Sequence, residues 1–115
     1  MWQDARPIYL QIRDLIVSGI IDGSYRTGDA LPSVRALAAE RNVNPLTVSK
    51  AYQELQSAGL IAARRGLGLF VEPGARDKLL KTERQAFLAE DWPRIRRHID
   101  RLGLTSSELF AREDA

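Results

Sequence analysis

Residues 33–72 read SVRALAAERNVNPLTVSKAYQELQSAGLIAARRGLGLFVE, and this stretch decides the fold. It holds two segments with apolar residues at helical spacing, separated only by residues 41–44. Ser33 and Asn44 stand where N-cap side chains belong, and Pro45 suits the first position of a helix. So short a link forces a sharp angle between the helices, which is typical of a helix-turn-helix.

The second half of the stretch predicts a β-hairpin. Residues 60–63 (LIAA) and 69–72 (LFVE) are strand-like, and the five residues RRGLG between them include two glycines that suit a tight loop. Pro73 and Gly74 then end the pattern, so we place a domain boundary after residue 74.

The residues before this stretch predict one more helix. Pro7 fits its first turn, and Gly23 fits its end. The apolar residues of this segment recur at helical spacing: Ile8, Ile12, Leu15, Ile16 and Ile20.

Residues 75–115 also predict helices, but too few residues are present to enclose a separate core. We expect Asp91 to cap a helix that runs through Pro93 to Gly103, and Thr105 with Glu108 to form a capping box. The apolar faces of these helices need another surface to cover them, and the same surface of a second copy of the chain is the simplest choice. The expected dimerisation residues are Leu79, Leu80, Phe87, Leu88, Ile95, Ile99 and Leu102.

The composition excludes several classes of function. The 115 residues include no Cys and one His, and the formal net charge is +2. Disulfides and thiolate metal sites are therefore excluded, and the sequence predicts no catalytic residue, no metal site and no cofactor. No apolar run approaches the ~18 residues of a membrane span, so we expect no membrane partner. The absence of Cys favours an intracellular protein, and we expect it in the cytoplasm. The sequence identifies no small-molecule effector.

The helix that begins at Pro45 presents polar side chains away from its buried stripe. A helical wheel places Leu46, Lys50, Gln53 and Ser57 outward, with Thr47 and Ser49 on the flanks. Most of these side chains can reach base edges or phosphates, and Leu46 can pack on a thymine methyl. The alternative is an ordinary solvated helix face.

Arg64, Arg65 and Gly66 stand at the expected tip of the hairpin. Glycine lets the backbone approach DNA closely while guanidinium groups reach phosphates or a minor groove. The alternative is that both arginines are merely solvated loop charges.

Residues 31–71, LPSVRALAAERNVNPLTVSKAYQELQSAGLIAARRGLGLFV, resemble the winged-helix signature of the GntR family of bacterial transcription regulators. The resemblance covers about residues 7–72. The short helical tail is similar to that of the YtrA subfamily, in which a small helical piece serves dimerisation. The expected fold is therefore mostly α with a small β-hairpin. It comprises a winged helix-turn-helix domain over 7–74, with the helix-turn-helix at 33–58 and the wing at 60–72, and a helical dimerisation tail over 75–115.

The resemblance implies a repressor that binds a palindromic double-stranded DNA operator as a homodimer. Arg35 then corresponds to an arginine that reaches DNA, and Gly66, preceded by Arg65, corresponds to the wing tip in the minor groove. The recognition-helix contact positions are Asn44, Leu46, Thr47 and Lys50. Many relatives carry arginine where this chain has Pro45 and Ser49, so Arg35 and Lys50 remain as the cations of the reading surface.

Two alternatives stay open from the sequence. Winged helices also serve as protein-interaction modules, so an adaptor without specific DNA binding is the rival function. Arg35 can instead be a surface ion-pair partner of Glu40 or Asp29.

Overall fold

The computed structural model describes residues 5–111. Its chain divides into two compact units, residues 1–80 and residues 81–115. The helices are α1 (Ile8–Asp22), α2 (Val34–Arg41), α3 (Pro45–Ser57), α4 (Ala75–Ala86), α5 (Trp92–Leu102) and α6 (Ser106–Ala111). A π-helical turn (Phe87–Asp91) lies between α4 and α5, and the strands are β1 (Ile61–Arg64) and β2 (Gly68–Val71). The prediction of a mostly helical protein with one small hairpin is confirmed.

The core of the first unit forms where α1 packs on α3, with α2 and the hairpin beside them. Apolar residues spaced three or four apart supply one buried face on each helix, so the helices bury their stripes against one another. The largest completely buried side chains are Tyr52, Ile12, Ile16, Ile20, Leu55, Ile61, Val48 and Val71. Ala58 follows the last residue of α3, caps the helix and is exposed.

Both helices of the helix-turn-helix begin at the predicted caps. Ser33 Oγ accepts a hydrogen bond from the N–H of Ala36, and Asn44 Oδ1 accepts one from the N–H of Leu46. Asn42 ends α2 with φ 57°, a left-handed conformation that asparagine tolerates better than most side chains. These local hydrogen bonds fix where α3 begins, and therefore which of its residues face outward.

Replacing Ser33 by Ala is expected to lower the free energy of unfolding by about 1 kcal/mol, because the first turn of α2 loses its side-chain acceptor. Urea denaturation of both proteins measures the difference. Ser18→Ala, at an exposed position inside α1, is the matched control and should change stability by less than about 0.5 kcal/mol. Equal stability of the Ser33→Ala variant and the parent would contradict the capping role.

Gly19 does not interrupt α1, although glycine weakens a helix. The ring of Tyr25 packs directly on it, and a Cβ at this position would lie 2.5 Å from Tyr25 Cδ2. The absence of a side chain therefore admits the aromatic ring that follows the helix. Helix α1 ends as expected at Gly23, whose φ is 92°.

The hairpin is tighter than the sequence predicts. Ile61 pairs with Val71, and Arg64 pairs with Gly68, so Arg64 belongs to β1 and the loop contains only residues 65–67. The N–H of Leu67 donates to the carbonyl of Arg64 at 2.8 Å, and Gly66 has φ 77°. A positive φ at this position of a β-turn is what glycine provides at little steric cost.

The first unit extends past the expected boundary at Gly74. Ala75 and Leu79 of α4 are buried with the core of this unit, and the unit ends at Leu80. Leu79 is therefore a core residue, contrary to its expected place on a dimerisation face, and Leu80 is half-buried. A fragment meant to preserve this core must include both residues.

The second unit contains, within residues 81–111, the end of α4, the π-helical turn, α5 and α6. None of these residues is buried. The capping box predicted from Thr105 and Glu108 is present at the start of α6. Glu108 N–H donates to Thr105 Oγ1, and Thr105 N–H donates to Glu108 Oε1. Gly103 ends α5 with φ 69°, also as predicted.

Asp91 does not cap a helix, and this prediction was wrong. It has helical backbone angles, and its side chain accepts a hydrogen bond from Arg94 rather than from a free backbone N–H. The helical turns continue through it as a π-helical turn. A proline inside a helix lacks a donor and crowds the carbonyl four residues earlier. For Pro93 that carbonyl belongs to Ala89, inside the π-helical turn.

No helix formed within residues 5–111 is both long enough and apolar enough to cross a membrane.

Candidate DNA-binding surface

The outward face of α3 is as the helical wheel predicts. Leu46, Lys50, Gln53 and Ser57 are exposed, and Thr47 and Ser49 are half-buried on the flanks. Leu46 is 75% exposed in the first turn, so this large apolar side chain contributes nothing to the core. Asn44 is exposed too, but its amide oxygen is occupied by the cap of α3, which leaves its NH₂ group for another partner.

Lys50 lies beside α1. Its Nζ stands 4.0 Å from the centre of the Tyr9 ring, within cation–π distance. This contact holds the ammonium group at the edge of the α3 face and leaves Lys50 exposed. The sequence analysis missed Tyr9, because a contact between residues in different helices has no local sequence signal.

A shallow open groove runs between α1 and α3 next to Lys50. Arg13 of α1 lines it together with the outward residues Gln53 and Ser57 and with the carboxylate of Glu54. The Arg13 guanidinium also donates to the Asp14 carboxylate at 3.3 Å. The structure thus brings Lys50, Gln53 and Ser57 together on one side of α3, beside a second cation.

Arg35 lies exposed in the first turn of α2. Within residues 5–111 it forms no ion pair with either of the carboxylates proposed from the sequence. The Asp29 carboxylate instead accepts the backbone N–H of Arg26 at 2.8 Å, and Glu40 lies 4.0 Å from its neighbour Arg41. The Arg35 guanidinium is therefore not engaged by a carboxylate of the described residues.

The two wing arginines differ in their surroundings. Arg64 stacks on the Phe70 ring of the paired strand, with 4.6 Å from Cζ to the ring centre, which draws it away from the loop. Arg65 lies in the exposed turn with Gly66. Leu67, the third loop residue, is 71% exposed and was not among the predicted site residues. The signal that could have found it is an apolar residue between two glycines, Gly66 and Gly68.

The buried side of the helix-turn-helix supports this surface through Tyr52. The hydroxyl of Tyr52 donates to the Pro32 carbonyl at 2.8 Å, which ties α3 to the segment that leads into α2. Burial raises the pKa of the Tyr52 hydroxyl well above its usual value. The hydroxyl is therefore protonated at neutral pH, where it remains a hydrogen-bond donor.

Across residues 5–111, no three His, Asp or Glu side chains gather closely enough to hold a metal ion. His98 lies exposed on α5. The exposed guanidinium and ammonium groups of this surface offer N–H donors of the kind that bind phosphate oxygens.

Residues 8–71 match the family described as bacterial regulatory proteins, gntR family. The chain belongs to the GntR family. The match covers α1, the helix-turn-helix and the hairpin, the same elements that carry the surface.

Three further comparisons with known proteins are consistent with this assignment. The HTH-type transcriptional repressor YtrA of Bacillus subtilis is 40% identical over 79 residues, which are 69% of this chain and 61% of that protein. A GntR family transcriptional regulator from Listeria monocytogenes has a similar structure, with a TM-score of 0.72, 30% identity, and coverage of 96% of this chain and 95% of that chain.

The third is the DNA-binding domain of AraR in complex with operator ORX1, with a TM-score of 0.58 and 29% identity. It covers 62% of this chain and 92% of that one. The chain is thus a GntR-family transcriptional regulator with a winged helix-turn-helix DNA-binding domain, and YtrA is among its relatives.

Proposed function

We propose that this regulator is a repressor that binds a palindromic double-stranded DNA operator as a homodimer in the bacterial cytoplasm. The observation that carries the proposal is the outward face of α3, where Leu46 and Lys50 are exposed beside flanking hydroxyl groups. An exposed leucine in the first turn gains nothing in water, but it can bury itself against a thymine methyl in the major groove. The repressor and operator descriptions of YtrA and AraR are consistent with this function.

The cations of this surface suit contacts to phosphates and base edges. Arg35 has five N–H donors and no carboxylate partner among residues 5–111, and Lys50 is held at the edge of α3 by Tyr9. Pro45 and Ser49 cannot make the bidentate contacts to guanine that an arginine makes. We therefore propose that Arg35 and Lys50 position the protein on the duplex, while Leu46, Thr47, Ser49 and the Asn44 amide supply short-range contacts to bases.

We further propose that the exposed apolar side chains of the second unit form the dimer interface. Phe87 and Leu88 are exposed at the start of the π-helical turn, and Leu102 is exposed at the end of α5. Ile95 and Ile99 follow the same side of α5 and remain half-buried in the single chain. A two-fold axis would set two copies of α3 about 34 Å apart, or a multiple of it, which matches a palindromic site.

Arg35→Ala is expected to weaken binding to a selected operator duplex about tenfold, because one charged contact to DNA is lost. The duplex is first obtained by selection from a random pool with the full chain, and binding is measured by gel shift at constant salt. Arg84→Ala, an exposed arginine of α4, removes the same charge elsewhere and should change affinity less than about twofold.

The unfolding temperatures of Arg35→Ala and Arg84→Ala must match that of the parent, since both arginines are exposed. Unchanged affinity of Arg35→Ala would remove this residue from the interface. Failure of the full chain to enrich any duplex from the pool would instead favour the adaptor function.

A further inference from the structure

The loop of the hairpin has an unusual composition for a part of the molecule surrounded by water. Its residues are Arg65, Gly66 and Leu67, and the neighbouring strand begins with Gly68. Among large apolar side chains of the described part of the first unit, only Leu46 and Leu67 are more than half exposed. Leu46 lies on the face that the proposed function assigns to DNA. The exposure of Leu67 is explained neither by the fold nor by that face.

Leu67 does not serve the folding of the hairpin through its side chain. Its backbone N–H closes the turn by donating to the Arg64 carbonyl, a bond that any residue except proline could make. With 71% of the residue exposed, its side chain gains little burial energy from the fold. An apolar side chain presented in this way gains free energy only when a partner covers it.

The side chains around Leu67 indicate what the partner is. Arg64 stacks on Phe70, so the exposed loop presents one guanidinium, that of Arg65, beside one leucine. Gly66 has no side chain and lets the loop enter a narrow space. A slender tip with one cation and one apolar group suits the minor groove of a duplex, where negative potential attracts arginine and where apolar side chains contact or wedge base steps.

We propose that Leu67 makes the wing select A·T pairs in the minor groove. In the minor groove a G·C pair differs from an A·T pair by the 2-amino group of guanine, a hydrogen-bond donor on the groove floor. Leucine has no acceptor for that donor, so covering the amino group would leave it without a hydrogen bond, at a cost in free energy. An A·T pair has no such donor, and the side chain can pack against its floor. This inference rests on the proposed function and adds the base composition that the wing prefers.

The test changes the minor groove while the major groove stays the same. In a duplex selected from a random pool by the full chain, each A·T pair in turn is replaced by 2,6-diaminopurine·T, which adds a minor-groove amino group. At the position under the wing, affinity should fall about tenfold. Placing inosine·C there should bind at least about fivefold more tightly than G·C, because inosine lacks the amino group.

Leu67→Ala should reduce the effect of diaminopurine to less than about twofold, because the side chain that meets the amino group is gone. Leu46→Ala is the comparison: it is expected to weaken binding overall while retaining the full diaminopurine effect, since it acts in the other groove. Both positions are exposed, and equal thermal stability of the variants is checked first.

Binding of the unmodified duplex by the full chain tests the proposed function separately. If that duplex binds but no diaminopurine position weakens it, the inference is overturned. A Leu67→Ala variant as sensitive to diaminopurine as the parent overturns it as well.

Discussion

A chain shortened to end at Leu80 is expected to bind a duplex with two half-sites at least about 100-fold more weakly than the full chain. The reason is that binding of the second half-site becomes intramolecular only when two copies are joined. The shortened chain keeps every core residue of the first unit, including Ala75 and Leu79. Fluorescence anisotropy with duplexes of one and of two half-sites measures the loss at fixed salt.

The matched control is a full-length chain with Ile95→Asp and Ile99→Asp, which places two charges on the half-buried side of α5 without shortening the protein. It should lose affinity for the two-site duplex as the shortened chain does, and sedimentation should show it as a monomer. Both proteins should bind a single half-site as the parent does. A shortened chain with the affinity of the full chain would contradict dimerisation through the second unit.

Tyr52→Ala is expected to lower the free energy of unfolding by about 3–5 kcal/mol, which is a large part of the stability of a small domain. Tyr52 is 1% exposed in the core of the first unit, and removal of its ring leaves a cavity. Its hydroxyl also donates to the Pro32 carbonyl, which would lose this partner.

Tyr52→Phe separates the two contributions, because it keeps the ring and removes only the hydroxyl. We expect a loss of about 1 kcal/mol for this variant. Urea denaturation monitored by circular dichroism measures both variants, and hydrogen exchange of the α2 amides reports on the link to Pro32. If Tyr52→Ala and Tyr52→Phe lower the free energy of unfolding equally, the buried ring does not contribute the packing energy expected of it.

Local sequence signals were sufficient for the helix-turn-helix. Ser33 and Asn44 act within three residues of their own positions, so their roles as caps were predictable from the sequence. The same holds for Gly66 in the turn and for the capping box at Thr105. Because the caps fix the register of α3, the outward direction of Leu46 and Lys50 was predictable too.

Contacts between distant segments were not predictable in this way. The ring of Tyr9 under Lys50 and the ring of Phe70 under Arg64 depend on which helices and strands become neighbours. The hairpin register moved Arg64 from the loop into β1, and the packing of α4 moved Leu79 from an expected dimer face into the core. At Asp91, a good capping residue was overridden by a helix that continues as a π-helical turn.

The sequence predicted where the candidate DNA-binding surface lies, but not all of the groups that it exposes. Pattern and resemblance identified α3 and the hairpin tip, but the use of the Asn44 oxygen in a cap and the exposure of Leu67 needed coordinates. Both change the chemistry offered to a duplex: Asn44 presents a donor, and the wing presents an apolar group.

The most direct test of the account is the salt dependence of binding to a duplex selected by the full chain. We predict specific binding that survives excess unrelated DNA, with the logarithm of the association constant falling linearly as the logarithm of salt concentration rises. Removing the charges of Lys50 and Arg65 together should lower that slope by about two. Absence of binding to any duplex at the lowest salt, or an affinity that does not change with salt, would contradict the claim that α3 and the wing bind DNA.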